Sequence, residues 1–219
     1  MLKTVYKKLP EANNRIKIRN FVIEKAKAKM STVKHEAKIF ENINYSGKNL
    51  SGREFTSCEF KNCNFTKSDL SNNSFEDCTF RNCNFSMTIL RNTGLRTVKF
   101  MSCKLMGIDF SVINNFLFSV AFQDNILDYS SFFQCNMKKT NFIDCSLKQV
   151  DFGETDLSRA VFKNCDLALA SFMHTNLEKT DFRTAKNYSL DPEQNKMEGA
   201  KFSHVGLAGL LYKYNLDIE

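Results

Sequence analysis

Residues 55–70 read Phe55-Thr56-Ser57-Cys58-Glu59-Phe60-Lys61-Asn62-Cys63-Asn64-Phe65-Thr66-Lys67-Ser68-Asp69-Leu70. A large apolar residue returns at every fifth position, and the series continues unbroken through Phe75, Phe80, Phe85, Leu90, Leu95, Phe100, Leu105 and Phe110. Five matches neither the 3.6-residue period of a helix nor the 2.0 of an ordinary strand, so the pattern marks an internal repeat. Two places earlier in each unit stands a smaller residue, as in Cys58, Cys63, Cys78, Thr88, Thr93, Val98 and Ile108. A five-residue unit cannot bury its own apolar side chain. Coils stacked at a strand spacing of about 4.8 Å give each ring a lid and a floor.

The unit Asn62-Cys63-Asn64-Phe65 and its copy Asn82-Cys83-Asn84-Phe85 resemble the pentapeptide-repeat family, with its small residue, Asp or Asn, then Leu or Phe. That resemblance implies an all-β solenoid, a right-handed quadrilateral parallel β-helix with four repeats per twenty-residue coil. Residues one coil apart then share a column, and Phe40, Phe60, Phe80 and Phe100 do look alike, as do Leu50, Leu70 and Leu90. After Phe110 the next ladder residue is Leu117, a step of seven, so two extra residues bulge from a corner. With the coils stacked across the bulge, Phe122 sits over Phe100 and the column runs on to Phe142, Phe162, Phe182 and Phe202.

Of the 21 phenylalanines, 17 lie on the ladder. Full burial of such a ring is worth about 1.5–3 kcal/mol before chain entropy is subtracted, which makes the ladder the main stabilising term. All eight cysteines, at 58, 63, 78, 83, 103, 135, 145 and 165, take the small position. They read as small buried hydrophobes, with no Cys-x-x-Cys ligand spacing, and imply a reducing compartment. No secretory h-region or long apolar span occurs, so the chain is expected to be cytoplasmic and without a membrane partner.

Of the formal charge of +7, all comes from residues 1–29, with nine basic and two acidic residues; the remainder carries 22 of each sign. Residues 1–36 read as a basic arm with a weak helical stripe at Ile18, Phe21, Val22, Ala26, Met30 and Val33, either a tail or an extension ahead of Met30. Such an arm is the one place where nucleic acid would bind. Residues 37–188 read as the repeat domain, with the slip near 111–117. Residues 189–219 read as a loop, a last repeat and a closing helix. Ser203 is a suitable N-cap there, and Leu207, Leu210, Leu211 and Tyr214 share one helical face.

Signatures of catalysis, cofactor binding or metal ligation are missing: the three histidines are far apart, and no Gly-rich phosphate loop or Gly-x-Ser-x-Gly elbow occurs. Acids recurring before the ladder residue (Asp69, Asp109, Asp151, Asp156, Asp166, Asp181) alternate with Asn and Ser, as a turn position that bonds to backbone allows. Function therefore falls to the outer surface. The bulge offers Val112, Ile113, Phe116 and Phe118 as partner-binding candidates, with Leu117 inward. The closing segment is similar to the element through which members of the Qnr quinolone-resistance family dimerise. Leu207, Leu210, Leu211 and Tyr214 are thus candidates for capping and for a homodimer contact. The resemblance implies a non-enzymatic protein that binds type II topoisomerase (DNA gyrase or topoisomerase IV) as a DNA-shaped surface and protects it from quinolones. A scaffold for another protein and nucleic-acid binding through the arm are the alternatives. Two features depart from the Qnr pattern: the near-neutral body and the absence of long projecting loops.

Overall fold

The computed structural model describes residues 33–116 and 118–217, so the basic arm and the inward assignment of Leu117 lie outside the described residues. Eleven short strands follow in order: β1 Val33–Glu36, β2 Ile39–Glu41, β3 Arg53–Thr56, β4 Glu59–Lys61, β5 Ser74–Glu76, β6 Thr79–Arg81, β7 Gly94–Arg96, β8 Val98–Met101, β9 Val120–Gln123, β10 Asn141–Ile143 and β11 Val161–Lys163. All pairings are parallel. β1-β3-β5-β7 make one side, side 1, and β2-β4-β6-β8-β9-β10-β11 the next, side 2. Two further sides are held by single bridges, such as Asn44 to Asn64 to Asn84 on side 3 and Ser131 to Asp151 to Ser171 on side 4. The step is one coil of twenty residues, as in Phe60 opposite Phe80. This is the four-sided solenoid that the five-residue ladder demands.

The corners explain why the third residue of each unit's outer stretch is so often Asn, Asp or Gly. Asn42, Asn62, Asn82, Asp77 and Asp144 all adopt left-handed backbone, with φ between 50° and 55°. That geometry turns the chain sharply, and Asn and Asp tolerate it better than most residues. Each corner amide then donates to a carbonyl one coil on, for example Asn62 N to the Arg81 carbonyl at 3.0 Å. The side chains stack as well: Asn82 Nδ2 donates to Asn62 Oδ1 at 3.3 Å, and Asn62 Nδ2 to Asn42 Oδ1 at 3.1 Å.

Inside, ladder rings lie face to face along a column and edge to face between columns. Phe142 stacks on Phe122 and Phe162 with centroids 5.2 and 4.9 Å apart, while Phe132 and Phe152 meet it edge-on. Both arrangements suit the ring quadrupole. The small position does more than fill space. Its hydroxyls donate to carbonyls of the coil before, as Thr88 Oγ1 does to Phe65 at 2.7 Å and Thr155 Oγ1 to Phe132 at 2.7 Å. Cys83 Sγ reaches the Phe60 carbonyl in the same way at 3.5 Å. All eight cysteines are buried and free, and burial pushes the thiols of Cys78 and Cys135 up to about 12.

Register locates the insertion closely. Gly94 still pairs with Asn114, twenty residues on, but Val98 pairs with Val120, twenty-two on. The two extra residues therefore fall between Asn114 and Val120. Phe122 stacks over Phe100 at 5.5 Å, and the column continues through Phe142, Phe162 and Phe182 to Phe202.

Both ends hold residues that the apolar ladder does not mark. β1 begins at Val33, upstream of residue 37, because His35 takes a ring position and stacks on Phe55 at 4.9 Å. Toward the other end, Asn187 and Pro192 keep the five-residue phase in sequence, yet Tyr188 and Leu190 are the residues buried. The chain turns at Asn187, with φ 61°, and sets the Tyr188 ring against the stacked pair Phe182 and Phe202, tilted to each. Ser203 caps the closing segment as expected, its hydroxyl accepting from Gly206 N at 3.2 Å. The helix is 3₁₀, however, in two pieces at His204–Leu210 and Tyr212–Tyr214. Close packing on Tyr188 accounts for the glycines: a Cβ on Gly209 would stand 2.3 Å from the Tyr188 carbonyl oxygen, and one on Gly206 within 2.0 Å of its hydroxyl.

Candidate interaction surfaces

The core is filled, so chemistry is confined to the outer faces. The acids before the ladder residue are turn formers. Asp109 Oδ1 accepts from Ser111 N at 2.9 Å, Asp151 Oδ1 from Gly153 N at 2.8 Å and Asp69 Oδ1 from Ser71 N at 2.9 Å. Asn64 and Asn84 do the same for Thr66 and Ser86. A hydrogen bond from Arg183 holds the Asp181 carboxyl below the usual range. Burial works against the charged form of Asp156 but is outweighed by hydrogen bonds from Ser158 and Lys138. These carboxylates are committed to turns and ion pairs. Among the described residues no group of His, Cys, Asp and Glu is placed to hold a metal ion, and no helix is long and apolar enough to cross a membrane.

At the bulge, the four candidates separate. Phe116 is 79% exposed, and its amide is fixed by Asn114 Oδ1 at 3.0 Å. Val112 is exposed at the edge of side 4. Ile113 is corrected to a core residue, only 6% exposed: the register of Gly94 with Asn114 places it over buried Thr93, in the small inward position. Phe118 is half-buried and packs against the core instead of pointing outward. The insertion thus presents one free ring rather than a cluster.

The C-terminal candidates also divide. Leu210 is half-buried and touches the core, whereas Leu207, Leu211 and Tyr214 are exposed, together with Val205, Tyr212 and Leu216. The segment is clipped to the preceding loop by Lys213, whose ammonium lies 2.9 Å from Asp191 Oδ1 and 2.7 Å from Glu193 Oε2. Those carboxylates raise the Lys213 pKa, and Lys213 in turn lowers that of Asp191. Closing the last ring leaves an apolar cap facing solvent.

Comparison with known proteins gives a consistent result. The family model described as a pentapeptide repeat region matches residues 53–132 and 113–182. Among solved structures, a trypsin-treated form of QnrB1, a plasmid-mediated fluoroquinolone resistance protein, is 25% identical, with 85% of this chain and 90% of that chain covered and a TM-score of 0.46. Full-length QnrB1 is 19% identical, with 84% and 100% covered and a TM-score of 0.33. HetL, a pentapeptide repeat protein involved in heterocyst differentiation regulation from the cyanobacterium Nostoc sp., is 13% identical, with 84% and 93% covered and a TM-score of 0.32. None of the curated proteins matches the chain. With the repeat model spanning residues 53–182, well over half of the sequence, the chain belongs to the pentapeptide-repeat family.

Proposed function

We propose that the chain is a non-enzymatic interaction protein of the cytoplasm that binds type II topoisomerase, DNA gyrase or topoisomerase IV, as a DNA-shaped rod and protects it from quinolones. The observation that carries this reading is the solenoid itself. Among the described residues, its ladder positions from Phe40 to Phe182 carry Phe, Tyr, Leu and Met side chains packed into one core, with Met197 and Phe202 beyond, so the outer surface is what remains for recognition. The exposed Leu207, Leu211 and Tyr214 pair two copies into a homodimer, doubling the rod along its axis. Function is tested by titrating the full chain into a supercoiling assay with DNA gyrase and a quinolone. Restored supercoiling in the presence of drug supports the reading, and drug inhibition unchanged over a wide concentration range removes it. Dimerisation is tested separately by light scattering: Leu207→Ser with Leu211→Ser is expected to give monomer, and a wild-type chain that is already monomeric rules the contact out.

A further inference from the structure

The large apolar side chains exposed along the solenoid body are not spread evenly. Apart from Val33 and Ile39 on the first coil and Phe116 at the insertion, they lie on side 4, on its two edges, or at Ile126 on side 3. Ile89, Phe133 and Met173 stand on the flat of side 4; Met87, Tyr129 and Leu169 line the edge it shares with side 3.

The edge residues occupy left-handed corners, at φ 59°, 63° and 60°. Elsewhere such corners carry polar or charged residues or glycine, with Ala37 as the one small apolar exception among the described residues. A large apolar residue there is strained and also exposes its hydrocarbon, with Leu169 79% exposed. Neither feature helps the fold. Two glycines make the surface continuous. Met87 lies over Gly107, its sulfur 2.8 Å from where a Cβ would stand, and the Phe133 ring lies over Gly153, 3.1 Å from its Cβ position. Met173 follows on the next coil, where Glu154 N donates to its carbonyl.

Charge selects the occupant. Over residues 67–174, side 4 and its two edges hold Asp69, Asp109, Asp151 and Glu154 against Lys67 and Arg91. A second copy placed on this side would set carboxylates against carboxylates, and an anionic bilayer would be repelled. A surface built to hold DNA is basic, because it must neutralise phosphates, and acidic groups around apolar anchors complement it.

We infer that side 4 is the surface that seats on the DNA-holding face of the topoisomerase, with Met87, Tyr129 and Leu169 as anchors and Asp109 and Asp151 as charge partners. This rests on the topoisomerase reading above. Acidic and apolar groups share one side, so the near-neutral total charge of the body does not weaken the match.

The test measures affinity of the full chain for DNA gyrase. In Met87→Asn/Tyr129→Asn/Leu169→Asn, each replacement is well suited to a left-handed corner, so the thermal midpoint should stay level or rise while affinity falls at least tenfold. Phe133→Ser/Met173→Ser, which leaves the corners untouched, should also weaken binding. Asp151→Asn keeps the turn and should flatten the salt dependence. Lys163→Ser on side 2 serves as a control and should bind as wild type. Wild-type binding with every side-4 variant within twofold of it overturns the side-4 assignment alone. A wild-type chain that does not bind gyrase overturns the topoisomerase reading and this one with it.

Discussion

Replacing Phe142 by Ala removes the most completely enclosed kind of residue in this fold. The ring has no exposed surface, stacks on Phe122 and Phe162 at 5.2 and 4.9 Å, and meets Phe132 and Phe152 at 6.1 and 5.9 Å. A large-to-small change at such a site costs about 3–5 kcal/mol, from lost transfer energy plus the cavity left behind. A solenoid cannot slide one coil onto the next to refill the gap, because the backbone ladder fixes the spacing; the upper part of that range is expected. Phe116→Ala is the internal comparison: at 79% exposure it should change stability by less than about 0.5 kcal/mol. Equilibrium unfolding in urea, followed by far-UV circular dichroism and by intrinsic tyrosine fluorescence, reads both. A Phe142→Ala loss under 1 kcal/mol, or a Phe116→Ala loss of similar size, would refute the inward register and the stacking argument together.

Gly209→Ala places a Cβ against the Tyr188 carbonyl, so the closing 3₁₀ segment must shift, at a cost of about 1–3 kcal/mol; faster chymotryptic cleavage after Tyr212 or Tyr214 would report it, and an unchanged digest would count against the cap. Arg159→Asn should stabilise by about 1 kcal/mol, since it relieves a left-handed Arg at φ 61° stacked between Lys139 and Lys179 on adjoining coils; a lower thermal midpoint contradicts this. The Asp191 pKa is depressed by Lys213, so its contribution to the cap is present above the ordinary Asp value of about 3.9 and is lost as pH falls through the lower folded value. The protection factor of the Leu190 amide, bonded to the Gly209 carbonyl, should fall on acidification below that point, and Lys213→Met should abolish the change; an identical pH profile in the variant would exclude the clip.

Much of the fold is legible because the repeat is short and each unit carries its own inward residue. The ladder, the twenty-residue columns, the cysteines' place and the two-residue insertion all follow from residues that must face inward. What is not legible is where that rule gives way. His35 is a ring member but not apolar, so the apolar ladder starts at Phe40. Ile113 and Phe118, expected to face outward, pack against the core because the extra residues enter after Asn114, a choice made by hydrogen-bond register and not by hydropathy. Tyr188 and Leu190 replace the in-phase Asn187 and Pro192 because a left-handed turn at Asn187 breaks the five-residue phase. The closing helix tightens to 3₁₀ since Gly206 and Gly209 lie on the Tyr188 ring. The one-sided placement of Met87, Tyr129 and Leu169 is hidden in linear order, as they are about forty residues apart; written in rows of one coil they form a column, and that was the available signal.

The most direct measurement is competition between this chain and duplex DNA for DNA gyrase. With gyrase immobilised and the full chain at a fixed, half-saturating concentration, increasing linear duplex should displace the chain completely, because in the proposed docking the acidic, apolar side 4 and a duplex compete for one basic face. Binding of both at once, with the chain retained at saturating DNA, would contradict the account.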